Sequence, residues 1–284
     1  RQWPIDRLVT EALAAWPRHT AGMSDDPTTY MLTGVLNHLD RFDEGLALCD
    51  DAIRDARDRR HVLSEATALY CRGALHFAAG KIQLARVDLQ GALSAVPFGW
   101  NHYREAAEVL LVRSHVAAGD LPGAHEVVAA MSDDDSVGPL LLSVRHLARS
   151  ALATASGDAA RGLELAYAAR DLVPVGAEAT GMCWQVEAFE ALVAAGDTEA
   201  AARLAAEELE TVTALGAAPR AAACAELRIA RARARNDTAV PTARRAVEVT
   251  APQRALDFAV AKETLATALL ASQGADDRSE AREL

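Results

Sequence analysis

The sequence predicts an all-α fold, a right-handed solenoid of helical hairpins with about 39 residues per unit. Three observations carry that prediction. Alanine supplies 64 of the 284 residues, and it is the strongest helix former because it loses no side-chain entropy on ordering. Hydrophobic residues reach 51% while aromatics reach only 5%, too sparse in β-branched and aromatic runs for a sandwich or barrel. A helix-ending punctuator recurs at positions 40, 80, 119, 157, 196, 236 and 274, with spacings of 40, 39, 38, 39, 40 and 38.

The punctuators justify the hairpins. Ala78-Ala79-Gly80-Lys81, Ala117-Ala118-Gly119-Asp120, Ala155-Ser156-Gly157-Asp158, Ala194-Ala195-Gly196-Asp197 and Ala234-Arg235-Asn236-Asp237 share one plan. Leu39-Asp40-Arg41 and Gln273-Gly274-Ala275 extend it. Gly or Asn supplies the left-handed residue that ends a helix. The Asp that follows in four units caps the next helix and suits its positive end.

A first helix is expected over 4–16, with Pro4 in the first turn. The pairs that follow are 28–39 with 43–57, 62–78 with 82–95, 103–118 with 121–131, 139–155 with 159–172, 178–195 with 198–214 and 219–235 with 239–250. A last helix covers 252–272. Pro27, Pro97-Phe98-Gly99, the stretch Ser132 to Pro139, Pro174 to Gly176, Gly216 to Pro219 and Pro252 mark the breaks.

Five residues after the punctuator stands a small residue in five of six units: Gly45, Ala85, Ala124, Gly162 and Ala201, with Pro241 the exception. Twelve residues after it stand Ala52, Ala92 and Ala169, though Met131, Glu208 and Glu248 break that rule. Bulky Leu48, Leu89, Val127 and Leu165 lie between. Small residues at a crossing let two helices approach, and bulky ones fill the ridge. Both ends of the chain fall inside a repeat rather than at a polar cap. The whole of 1–284 is therefore expected to be one helical-repeat domain cut from a longer polypeptide, with a truncated helix starting near Asp276.

Phrases such as Asp40-Arg41-Phe42-Asp43-Glu44-Gly45-Leu46-Ala47 and Gly119-Asp120-Leu121-Pro122-Gly123-Ala124 give this unit its character. It resembles the tetratricopeptide repeat. The period is longer than the usual 34 residues, and of the first-helix signature only Arg72-Gly73 keeps its glycine. Longer Ala- and Arg-rich units of this kind, with Leu265-Ala266-Thr267-Ala268-Leu269-Leu270 as a second example, resemble the helical segment of large ATP-binding LuxR-family regulators of actinobacteria, the MalT-like group. The resemblance implies a nucleotide-binding module before the repeats and a DNA-reading helix-turn-helix after them. This chain has no G-x-x-x-x-G-K-[ST] loop, so no cofactor is expected in it.

Charge and motif content narrow the function classes. A net charge of -11 disfavours direct nucleic-acid contact, which needs a basic stripe. No apolar run reaches membrane-spanning length. Cys49, Cys71, Cys183 and Cys224 are widely spaced, read as small buried hydrophobes, and suit a reducing cytoplasm. Asp133-Asp134-Asp135 has the flavour of a magnesium-binding terpene synthase motif. That motif wants D-D-x-x-D, where position 137 is Val, so a solvated loop is the expectation. The eight histidines make no metal spacing; His76 and His115 are equivalent positions, and His115 and His125 flank a turn. No G-x-S-x-G is present. An all-helical enzyme is the remote alternative.

What remains is a groove. In tetratricopeptide arrays the first helix of each unit lines the concave face. Those positions here carry Tyr30, Asn37 and His38, then Tyr70 and Phe77, then Arg113, with Glu190, Glu226 and Arg233 further on. Aromatic, hydrogen-bonding positions of this kind suit a protein or peptide partner, or a small effector; packing between units is the competing reading. Trp100, His102 and Tyr103 read as a packing plug at a unit junction. The function expected is a non-catalytic regulatory module that passes partner or effector binding to domains elsewhere in the polypeptide. A general interaction scaffold is the alternative, and self-association is left open.

Overall fold

The computed structural model describes residues 10–11, 14, 27–131, 138–172, 184–214, 219–235, 239–250, 252–272 and 275–283. Among the described residues there are helices and turns and no strands. The chain divides into two compact units, Arg1–Ser114 and His115–Leu284. The expected helix over 4–16, the Asp133–Asp135 cluster, Cys183, Asp237 and the punctuators at 236 and 274 lie outside the described residues.

In the first unit, α1 (Pro27–His38), α2 (Phe42–Asp58), α3 (Val62–Ala78) and α4 (Ile82–Leu93) pack in chain order, and α1 also touches α3. A 3-10 turn (Val96–Phe98) leads to α5 (Arg104–Ala117), within which the division falls. In the second unit come α6 (Leu121–Ala130), α7 (Pro139–Ala155), α8 (Ala159–Leu172), α9 (Trp184–Ala194) and α10 (Thr198–Ala214). Then follow α11 (Pro219–Arg233), α12 (Ala239–Val249), α13 (Ala255–Ala271) and the short α14 (Ala275–Glu280). Each helix of this unit packs on the next, and α7 touches α9 as α11 touches α13.

The turns explain why the helices stop where they do. Asp40, Gly80, Gly119, Gly157 and Gly196 all have positive φ, between 57° and 91°. Each turn closes with the same two hydrogen bonds. At Gly80, its N–H donates to the Phe77 carbonyl (2.9 Å) and the Lys81 N–H reaches back to His76 (2.8 Å). At Gly196, the N–H donates to Val193 (3.0 Å) and that of Asp197 to Leu192 (3.0 Å). This pairing satisfies carbonyls that a helix end leaves open. Arg60 adopts the same turn at φ 59°, with its N–H on Arg57 and that of His61 on Ala56. Nothing in its side chain announces that role, and the junction between α2 and α3 carries no glycine.

The aspartate caps form where they are expected. Asp120 accepts from Gly123 N–H, Asp158 from Arg161 and Asp197 from Ala200, each at 3.0 Å. Arg41 and Lys81 hold the equivalent place after the turns at Asp40 and Gly80 and give no side-chain cap.

The small residues are buried where one helix meets another. Gly45 and Gly162 are buried, and Ala85, Ala124 and Ala201 are fully buried. A Cβ at Gly162 would overlap the Thr154 hydroxyl and approach the Ser150 carbonyl at 3.3 Å. Two hydroxyls clamp the same crossing: Ser150 donates to the Gly162 carbonyl (2.7 Å) and Ser143 to that of Ala169 (3.0 Å). Gly162→Ala is therefore expected to destabilise the second unit by about 2 kcal/mol through overpacking. Urea unfolding checks this, and a neutral result would show that α7 and α8 can move apart.

Two departures from the sequence pattern stand out. On α12 Pro241 is exposed, and the fully buried small residues are Ala243 and Ala246 with Ala239 close behind. The crossing has slid two residues along an alanine-rich helix. The last long helix starts at Ala255 rather than 252, because Arg254 adopts φ -90°, ψ 72°. Its carbonyl instead takes the first helical hydrogen bond, from Phe258 N–H at 2.8 Å.

Cys49 and Cys71 are buried, whereas Cys224 is half-buried. Burial pushes the Cys49 thiol up to about 12, the Thr33 hydroxyl 3.9 Å away notwithstanding. The unfolded thiol ionises near 9.0, so its stabilising contribution is complete below that pH and is lost as pH rises toward 12. Cys71, Tyr30 and Tyr70 are shifted in the same direction by burial. Stability is expected to fall between about pH 9 and pH 11, and a Cys49→Ala variant to show a shallower slope, by up to about 1.4 kcal/mol per pH unit. Equal slopes in denaturant titrations would count against a buried, protonated thiol.

Candidate functional site

The first unit gathers five rings into one cluster. Tyr30 on α1 stacks on Tyr103 with centroids 4.7 Å apart, and Tyr103 stacks on Tyr70 of α3 at 5.5 Å. Tyr30 and Tyr70 are themselves 6.1 Å apart with planes 17° from parallel. Trp100 tilts against Tyr70 at 6.2 Å, and His102 meets Tyr103 edge-on at 4.6 Å. Such offset and edge contacts suit the ring quadrupole.

The backbone between α4 and α5 makes the cluster. Gly99, at φ 101°, reverses the chain after the 3-10 turn. That swings the buried Trp100 back onto α3, where its Nε1–H donates to the Thr67 hydroxyl at 3.0 Å. Tyr70 is buried and its hydroxyl is pushed well above the ordinary range by that burial. Tyr30 and Tyr103 are half-buried and His102 is exposed, so these three present the wet side of the cluster.

The groove positions expected from the repeat are thus partly united. Tyr30 and Tyr70 meet, with Tyr103 between them. Asn37 stands half-buried on α1, Phe77 half-buried on α3 and Arg113 half-buried on α5. His38 is exposed, and its Nδ1 turns back to the Gly34 carbonyl at 2.7 Å. In the second unit Glu190 and Glu226 are engaged in ion pairs. Glu190 binds Arg231 (2.5 and 3.1 Å), whose guanidinium lies 5.3 Å over the Phe189 ring, and Glu226 faces Arg245 at 3.4 Å. His115 is buried with Nδ1 2.8 Å from the capping Asp120, a packing role at the turn.

Tyr103 is the member that repeat counting alone does not place. It stands sixteen residues before Gly119, whereas Tyr30 and Tyr70 each stand ten before their own punctuators. A second feature is equally unannounced: Arg170 lies 4.7 Å over Tyr167 and 5.5 Å over Trp184.

Among the described residues, no group of three or more His, Cys, Asp or Glu is placed to hold a metal ion, and no helix is long and apolar enough to cross a membrane. No protein-family model matches the chain, and no curated protein sequence matches it.

Proposed function

We propose that this chain is a non-catalytic binding domain: a tetratricopeptide-like solenoid acting as the sensory segment of a LuxR-family transcriptional regulator in the cytoplasm. Its ligand, a protein, peptide or small effector, lies along the first helices of the early units, against Tyr30, Tyr103 and His102. Binding there biases ATP-binding and DNA-reading domains outside this chain. The observation that supports the repeat reading is the series of left-handed turns at Asp40, Gly80, Gly119, Gly157 and Gly196, recurring every 38 to 40 residues. Stacked units with a continuous open face bind extended partners rather than enclose a reaction.

An interaction scaffold with no sensory role is the second reading. It is favoured by the burial of Tyr70 and Trp100, which commits two of the five rings to packing. Two measurements decide. Small-angle scattering is expected to give an elongated particle; a globular profile would sink the solenoid. The reading frame around this segment is expected to encode a G-x-x-x-x-G-K-[ST] loop upstream and a helix-turn-helix downstream. If it encodes neither, the scaffold stands and the regulator does not.

A further inference from the structure

On α3, Arg72 follows Tyr70 by two residues, which places it on the far flank of the helix, about 160° around the axis. There α2, α3 and α4 enclose a notch of about 320 Å³. Its floor is an ion triad. The Arg72 guanidinium grips Asp88 with two hydrogen bonds (2.8 and 2.7 Å) and reaches Asp50 Oδ1 with a third (2.6 Å). The Asp88 carboxylate is buried, while that of Asp50 is 51% exposed.

His76, one turn along α3, brings Nε2 to 3.7 Å from Asp88 and leaves a buried Nδ1 with no hydrogen-bond partner. Burial lowers the affinity of His76 for a proton, so at neutral pH the ring carries no charge. Among the side chains that line the notch, two carboxylates then face one guanidinium, an excess of one negative charge, with the Lys81 ammonium close enough to act on His76 from outside the lining. The remaining wall is apolar. Leu46 lines it, and Leu84 and Val87 line it while standing 51% and 66% exposed. Large apolar side chains left in water beside a half-solvated carboxylate define a two-part surface.

Ligand classes separate on that surface. An anion meets the excess negative charge. A divalent cation wants six or more oxygens, and one half-exposed carboxylate beside leucines does not supply them. A neutral apolar molecule covers Asp50 without replacing the water it displaces. A monocation with an apolar body meets every demand: its N–H groups donate to Asp50, and its body covers Leu84 and Val87. The volume lies at the small end of ligand pockets.

We propose that this notch binds a small amphiphilic amine: one ammonium group carried on a compact apolar body. The site is separate from the ring cluster, and neither reading depends on the other.

The test holds the apolar body constant and varies the head. Hexylammonium, 1-hexanol and hexanoate are titrated into the full chain by calorimetry, with the His76 ring protons followed by NMR. Saturable binding of hexylammonium with a His76 shift is expected, with hexanol and hexanoate at least about tenfold weaker. Asp50→Asn is expected to weaken hexylammonium at least about tenfold while the melting temperature holds, since Asp88 keeps its two bonds to Arg72. Val87→Ser, at an exposed side chain, is expected to weaken it several-fold. The proposal is overturned by equal binding of hexanol, by an unchanged affinity in either variant, by binding that leaves His76 unshifted, or by no saturable binding. A partner protein's lysine side chain as the true occupant would show as saturable binding of a lysine peptide alone, and would overturn the free-amine assignment.

Discussion

Tyr70→Ala is expected to destabilise the first unit by about 3 kcal/mol, the cost of emptying a buried aromatic site, and to lower its melting temperature by about 10 °C. Tyr70 is only 7% exposed and touches Tyr30, Trp100 and Tyr103. Removing its ring leaves Tyr103 and Trp100 facing a void that the Trp100–Thr67 hydrogen bond holds open. Tyr30→Ala, at a half-buried ring, is expected to cost about 1 kcal/mol. Thermal unfolding of the two variants side by side measures the difference. The pair also separates packing from recognition: ligand tests on the ring cluster belong with Tyr30 and His102, whose loss the fold tolerates. Equal melting of Tyr70→Ala and the parent chain would show that Tyr70 is a groove residue after all.

Phe189→Ala is expected to cost the second unit about 4 kcal/mol. Phe189 is fully buried in a cluster with Leu192, Ala201, Ala202, Ala205, Ile229 and Ala232. Four of those six neighbours are alanines, too short to reach into the void. The surroundings relax only in part, and a cavity remains. The Arg231 guanidinium also loses the ring beneath it while still tied to Glu190. Phe189→Leu keeps most of the volume and is expected to cost about 1 kcal/mol. Hydrogen exchange across α9 to α11 reports this unit by itself. Protection in Phe189→Ala equal to the parent would remove Phe189 from the core.

Much of the helical layout is legible in the sequence, for identifiable reasons. The bounds of 139–155, 159–172 and 198–214 agree with the structure because Pro139, Gly157-Asp158 and Gly196-Asp197 act locally. At these places the proline starts a helix, the glycine ends one and the aspartate caps the next. Helix α12 reads less well: where Ala239, Ala243 and Ala246 are all candidates, side-chain size no longer picks one register. The candidate site was half legible. Tyr30 and Tyr70 share a repeat position, so counting pairs them. Tyr103 joins them because Gly99 turns the chain 19 residues after Gly80 with the same pair of backbone hydrogen bonds, a bend that counting only the 39-residue punctuators passes over. The Arg72 triad is less visible still. Its partners lie 16 and 22 residues away, on two different hairpins, and only the packing of three helices brings them to one guanidinium.

The turn at Arg60 has a consequence for how such a chain can grow. Asp40, Arg60 and Gly80 fall 20 residues apart and close with the same pair of backbone hydrogen bonds. From α1 to α4, then, the link between hairpins is built like the bend within one. A genetic duplication or loss of a single helix pair at this seam needs no new loop geometry, only a left-handed residue at the splice. Arginine already serves there, at a strain that a glycine would relieve. Length variation in proteins of this type is then expected to be found at this joint, and engineered insertions should be tolerated there before they are tolerated at the Gly99 reversal, where Trp100 is locked onto α3.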